Sequence, residues 1–155
     1  MTPAVNLAKK AGVSHTLHEY EHDPDSASYG TEAAEKLGVD PRRVFKTLVT
    51  RIDGQGLCVG LVPVNSKLSL KQMARAAGGK KAAMAEPEEV QRSTGYVLGG
   101  VSPLGQKKRL KTFIDSSAEA LDTIYVSAGR RGLEIELAPA DLARLTGARF
   151  AELQQ

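Results

Sequence analysis

The sequence predicts an α+β fold, a mixed sheet curved and partly closed toward a barrel, with short helices around it. Short runs rich in branched and aromatic residues recur at 44–52, 57–64, 112–115, 123–127 and 133–137. Between them lie short amphipathic segments bounded by Ser, Thr, Asp or Pro at one end and glycine at the other. No regular alternation of strand and long helix runs through the chain, which argues against a doubly wound sheet. At 155 residues, 41% of them hydrophobic, residues 1–155 read as one domain.

The elements follow in order. Thr2 as N-cap, Pro3 at the first helical position, Ala4, Leu7, Ala8 and Ala11 at helical spacing and Gly12 as a stop predict a first helix. Residues 13–22 read as extended, and Asp23-Pro24-Asp25-Ser26 as a polar loop. A second helix begins at Thr31 and closes at Gly38, and Asp40-Pro41 opens a short helical turn. Two strand runs flank Asp53-Gly54-Gln55-Gly56, the clearest hairpin in the chain. Ser69 caps a helix that ends at Gly78-Gly79. An Ala-rich segment and a turn at Pro87 come next, then strands at 96–98, 112–115, 123–127 and 133–137, a helix at 139–145 and an extended end at 150–153.

Twenty-one Lys and Arg against eighteen Asp and Glu leave a net charge of +3, which permits a polyanionic partner without resembling a nucleic-acid-coating tail. One cysteine excludes an intramolecular disulfide and a Cys-built zinc site. Together with the lack of a signal-peptide pattern and of an apolar run near 18 residues, it points to a cytoplasmic protein.

His18-Glu19-Tyr20-Glu21-His22 matches the H-E-x-x-H zinc signature. That chemistry needs a helix, whereas this stretch favours a strand, which turns Glu19 away from the two histidines. Two exposed histidines on a strand is the expectation, with no metal and no cofactor. Gly100 to Lys107 has the glycine spacing of a P-loop, but Gln106 stands where the phosphate lysine belongs. The segment does offer Gly99-Gly100, where backbone can approach a ligand, beside the basic run Lys107-Lys108-Arg109. Those charges suit either a phosphate backbone or ordinary solvated surface. No G-x-S-x-G elbow is present, and Cys58 reads as a small core residue.

Lys46 breaks the strand pattern. Val44, Lys46, Leu48, Thr50 and Ile52 share one face, Phe45, Thr47, Val49 and Arg51 the other, and neither is plainly solvent-facing. The amine needs water, a carboxylate or a ligand. In Leu133-Glu134-Ile135-Glu136-Leu137 the apolar residues point inward and both carboxylates project from the other face, where one can pair with the amine or orient a substrate amino group.

Several segments carry a resemblance to a known family: Tyr20-Glu21-His22-Asp23, Val44-Phe45-Lys46-Thr47-Leu48, Arg92-Ser93-Thr94-Gly95-Tyr96, Gly99 to Lys108, Tyr125-Val126-Ser127 and Arg131-Gly132-Leu133. Over essentially its whole length the chain resembles the YbaK/prolyl-tRNA synthetase-associated editing domain family. The resemblance implies a free-standing deacylase that removes cysteine from tRNA(Pro), with tRNA and prolyl-tRNA synthetase as partners. It implies that Lys46 faces the aminoacyl group, with Glu134 as a second catalytic position. It further implies a pocket wall drawn from Tyr20, Tyr29, Thr47, Gly99, Gly100, Val101 and Ser127. Two positions depart from the family pattern, Tyr29 for a usual Phe and Glu134 for a usual Asp, one methylene longer. In the implied mechanism the substrate thiol attacks its own ester carbonyl, so no protein nucleophile is needed. Lys107, Lys108, Arg109, Arg130 and Arg131 are the candidates for tRNA contact.

Overall fold

The computed structural model describes residues 1–25 and 29–155, and of residues 29 and 30 the backbone alone. Local chemistry places most helices where their caps stand. In α1 (Pro3–Ala11) the Thr2 hydroxyl accepts from the Val5 N–H, and Gly12 ends the helix in the left-handed region. Ser69 caps α3 (Leu70–Ala77) in the same way, and α5 (Pro139–Thr146) starts at its proline and ends at Gly147. α2 (Tyr29–Leu37) begins two residues before the predicted Thr31, and Pro41–Arg43 forms a 3-10 turn capped by Asp40.

Three assignments change. The turn predicted at Pro87 is a full helix, α4 (Pro87–Thr94), with Glu88 and Glu89 at its positive end. Its buried face is Val90, Ser93 and Thr94, too polar to register as an apolar stripe. The strand expected at 96–98 is loop, because Tyr96 turns inward and donates its hydroxyl to the Leu104 carbonyl at 2.6 Å. The Ala-rich segment is a strand, β4, formed through pairing rather than propensity.

The strands are β1 (His15–Glu19), β2 (Phe45–Ile52), β3 (Gly56–Pro63), β4 (Ala82–Met84), β5 (Lys111–Asp115), β6 (Ile124–Arg130), β7 (Leu133–Leu137) and β8 (Arg149–Ala151). They form two sheets, β1-β7-β6 and β4-β2-β3-β5-β8. The mixed α+β class holds, but the expected closure toward one barrel does not. The two sheets touch through an isolated parallel bridge from Val44 to Tyr125, without a continuous ladder between them.

The largest core cluster draws Phe45, Val49, Val59, Leu61 and Ile114 from the second sheet and Val126 and Ile135 from the first. Cys58 and Val62 on the opposite face of β3 pack with Met73 of α3 and Leu153. A third cluster joins Ala33 and Ala34 of α2 to Val44, Val64 and Tyr125. Among the described residues no helix is long and apolar enough to cross a membrane.

One detail of sheet order positions the site. β4 pairs with Thr50–Ile52, so among the described residues the Phe45–Leu48 half of β2 has β3 on one side and no strand ladder on the other. That open edge lies beside the seam with the first sheet.

Candidate active site

A cavity of about 350 Å³ opens at this seam, lined by Tyr20, Ala33, Val44, Phe45, Lys46, Thr47, Leu48, Val64, Leu98, Gly99, Val101, Ser127 and Glu134. The volume suits a small-molecule group. Because the cavity runs along a strand edge, residues of both parities in β2 reach it, which period-two reasoning does not anticipate.

Lys46 is half-buried and has no hydrogen bond or ion pair among the described residues. Burial lowers its amine pKa, and the neighbouring Lys67 charge lowers it further. Glu134 projects from β7 into the cavity, with 7% of its surface exposed. Burial alone pushes it up to about 8, and no cation offsets the shift. The Lys46 to Glu134 pairing that the sequence allowed is therefore not formed. Each group stands in the cavity with its charged form disfavoured and unanswered, a signature of a ligand site. Thr47 adds a buried hydroxyl without a hydrogen-bond partner among the described residues.

Glu136, two residues along the same face of β7, has the opposite fate. It accepts from Thr123 at 2.5 Å, pairs with His18 at 2.9 Å and lies 3.3 Å from Arg43, whose guanidinium sits over the Tyr125 ring. Burial raises the Glu136 carboxyl, but the bonds from Thr123 and His18 outweigh it and hold the pKa below its ordinary range. This knot fastens the turn before β2 to the first sheet, so Glu136 holds the wall while Glu134 faces the cavity.

The remaining walls depend on two glycines and a bulge. Gly99 adopts φ 90°, a conformation that favours glycine. A side chain on Gly100 would lie 2.9 Å from the Arg130 Cα, so only a bare backbone lets the 97–100 turn dock on β6. Gly100 thus stands behind the cavity wall and does not line it. The β6–β7 register shifts between Ser127 and Arg130, and the Ser127 hydroxyl accepts from the Gly129 N–H at 3.2 Å.

Lys46, Glu134, Tyr20, Thr47, Gly99, Val101 and Ser127 are thereby brought to one cavity. Tyr29 is the first residue of α2, and its side chain lies outside the described residues. Lys108 and Arg109 line a separate cavity of about 240 Å³ with Gln106 and Leu110, sharing no lining residue with the first, and Lys107 is exposed. Arg130 is exposed and pairs with Glu19 at 3.8 Å, whereas Arg131 is partly buried beside the Gly100 turn.

Two further expectations need correction. The histidines of the H-E-x-x-H match are partly buried and each engages a carboxylate, His18 with Glu136 and His22 with Glu32 at 2.6 Å. Among the described residues no group of three His, Cys, Asp or Glu could hold a metal ion. The segment after Gly100 is not simply a solvated loop, since Val101, Ser102, Pro103 and Leu104 are buried and the Leu104 N–H donates to the Ser102 hydroxyl. Only its Lys107–Arg109 end is exposed.

Comparison with known proteins decides the family. The sequence profile of the aminoacyl-tRNA editing domain matches residues 23–145. This chain belongs to the aminoacyl-tRNA editing domain family. EbsC of Enterococcus faecalis, provisionally named a Cys-tRNA(Pro)/Cys-tRNA(Cys) deacylase, is 39% identical over 98% of this chain and 92% of its own. The Ser/Thr-tRNA deacylase ProXp-y of Escherichia coli K12 is 31% identical over 64% of this chain and 62% of its own. A crystal structure described provisionally as a trans-editing enzyme for prolyl tRNA synthetase superposes with a TM-score of 0.85 and 27% identity. It covers 100% of this chain and 99% of that one.

The editing-domain cavity also uses residues that sequence reasoning missed. Ala33, Val44, Phe45, Leu48, Val64 and Leu98 form its apolar wall, and nothing in their local pattern separates them from ordinary core. Leu98 is 52% exposed beside the paired glycines, which only the tertiary structure shows.

Proposed function

We propose that this editing domain, residues 1–155 taken as one unit, is a trans-acting cytoplasmic deacylase that clears cysteine from Cys-tRNA(Pro). One observation carries the reading: Lys46 and Glu134 share a cavity yet leave each other unpaired. An aminoacyl ester is complementary to that arrangement. Its α-ammonium answers the Glu134 carboxylate, and its carbonyl, which gains negative charge in the transition state, answers the Lys46 amine. The names of the related deacylases support the substrate class, and the trans-editing neighbour supports prolyl-tRNA synthetase as a partner.

Among the described residues the cavity lining contains no His and no Cys, so the Thr47 and Ser127 hydroxyls have no histidine base beside them. The substrate supplies its own nucleophile. The cysteine Sγ, as thiolate, attacks the ester carbonyl carbon. The carbon–oxygen bond to the terminal ribose then breaks, and the departing ribose oxygen takes a proton. The products are tRNA with a free hydroxyl and a cyclic cysteine thiolactone, which water opens later. The domain contributes geometry, holding thiol and carbonyl together, with Lys46 and the backbone at Gly99 polarising the carbonyl. The Thr47 hydroxyl, without a hydrogen-bond partner among the described residues, is a further donor to a bound acyl group.

The deciding experiment compares deacylation of Cys-tRNA(Pro), Ala-tRNA(Pro) and Pro-tRNA(Pro) side by side. Fast release of cysteine with thiolactone as first product is expected. Equal release of alanine, which has no thiol, overturns the self-attack mechanism and points to an editing domain for small amino acids generally. Binding of tRNA without release of any amino acid identifies a non-catalytic adaptor.

A further inference from the structure

We propose that the second cavity, the one lined by Lys108 and Arg109, holds an unpaired nucleotide of the tRNA acceptor end while the acyl group occupies the first. The proposal rests on the tRNA deacylase reading above. The second cavity, of about 240 Å³, has an apolar side of Leu7, Leu110 and Leu145 and a polar side of Gln106, Lys108 and Arg109. No Asp or Glu lines it, and neither cation has a side-chain hydrogen bond or ion pair among the described residues. Asp141 of the adjoining α5 is engaged by Arg144 at 2.9 Å. The threonine hydroxyls of the lining serve their own backbone, Thr112 donating to the Leu110 carbonyl at 3.0 Å and Thr146 to that of Leu142 at 2.8 Å. Gln106 donates to the Ser102 carbonyl at 2.9 Å and keeps its own carbonyl oxygen for a donor.

The fold fixes these cations at the cavity. The Lys107 and Lys108 N–H groups donate to the Thr94 and Ser93 carbonyls, each at 2.9 Å, which pins the basic run to the end of α4. A side chain on Gly147 would lie 2.7 Å from Arg109 Nη2, so the bare glycine lets the guanidinium lie at the C-terminal end of α5, where the helix carbonyls favour a cation. Two cations facing an apolar wall suit a ligand with an anionic part and a flat apolar part. A nucleotide supplies both, its phosphate for Lys108 and Arg109 and its base for the leucines, with a base amino group for Gln106. A paired stem keeps its bases stacked and presents its phosphates from a convex surface, so a cavity selects the unpaired end. Position agrees with this. Val101 lines the first cavity and Pro103, two residues on, lines the second, so their Cα atoms are at most about 7.6 Å apart and one loop divides the two sites.

The test uses three cysteine esters: cysteinyl-adenosine, which has no second nucleotide, the cysteinylated CCA trinucleotide, and charged tRNA(Pro). Lys108→Gln and Arg109→Gln are each expected to raise KM about tenfold for the trinucleotide and for the tRNA, with kcat little changed. Both constants for cysteinyl-adenosine stay as in the native protein. In Arg109→Gln the log–log salt slope for binding the uncharged trinucleotide should fall by about 0.7, the share of one phosphate on a single strand. Leu145→Trp fills the cavity without changing charge and should show the same selectivity, with a melting curve to confirm the fold. Losses on the tRNA alone overturn the proposal, because the cations then meet the paired stem. Equal losses on all three esters, or native KM values in a folded Leu145→Trp protein, overturn it too. Should Leu145→Trp fail to fold, the charge variants on the trinucleotide decide. If the native protein releases no amino acid from any ester, the deacylase reading falls instead. Binding of the uncharged trinucleotide to the native protein and the variants then decides for or against the cavity.

Discussion

Glu134→Gln tests the electrostatics of the cavity without needing a substrate. In the unfolded chain this carboxyl ionises near its ordinary 4.5, whereas in the fold burial holds it protonated to about 8. Below the lower value both states are protonated and the group contributes no difference. Between the two the unfolded chain ionises and the fold does not, so native stability falls as pH rises, at about 1.4 kcal/mol per pH unit. The accumulated loss reaches about 4–5 kcal/mol near pH 8 and then levels off. Glutamine keeps the shape and cannot ionise, so the variant lacks this slope, while every other titrating group is common to both proteins. Thermal melting from pH 4 to 9 should show the two curves together at the acid end and separating above pH 5. At about 3 °C per kcal/mol the variant should melt about 10–15 °C higher by pH 8. Parallel curves across the range would refute the reasoning, because they would mean that Glu134 ionises in the fold as easily as in water.

Lys46→Ala should lower the deacylation rate about 100- to 1,000-fold, the scale of losing a group that stabilises the oxyanion, with an unchanged melting curve. Near-native turnover by that variant discards its assignment. Thr47→Val removes a buried hydroxyl that has no partner among the described residues. Stability should hold or rise by about 1 kcal/mol while turnover falls, and an outright loss of stability would show that the hydroxyl is engaged in the native fold. Gly100→Ala places a methyl 2.9 Å from the Arg130 Cα. It should destabilise by about 1–3 kcal/mol in denaturant titration, since backbone must move. Tyr96→Phe leaves the Leu104 carbonyl without its 2.6 Å donor and should cost about 1–3 kcal/mol, detectable in the same titration.

Local chemistry made much of this protein readable. Caps and glycine stops located α1 and α3 almost to the residue, and the turn after Ile52 announced the β2–β3 hairpin, because such signals act within a few residues. Lys46 stood out as a cation in an apolar strand, and the likeness to an editing-domain family was legible in the segments around it. Where local and tertiary terms compete, the reading failed. Ala82–Met84 is a strand because β2 offers it a ladder, and Tyr96 leaves the predicted strand because Leu104 offers its hydroxyl a partner.

The sequence by itself determined the class of fold and singled out Lys46, since both rest on residue types and short-range spacing, while the other polar residues of the site were legible only through the likeness to a family. Which groups meet was decided by tertiary structure alone. Glu134 and Glu136 are equivalent in the pattern of β7, yet one joins Thr123, His18 and Arg43 and the other is left buried in the cavity. Likewise His22, Glu32 and Arg131 come together from separate segments, up to 109 residues apart. Burial and charge act through space, and distance along the chain carries no record of them until the two sheets close over the seam.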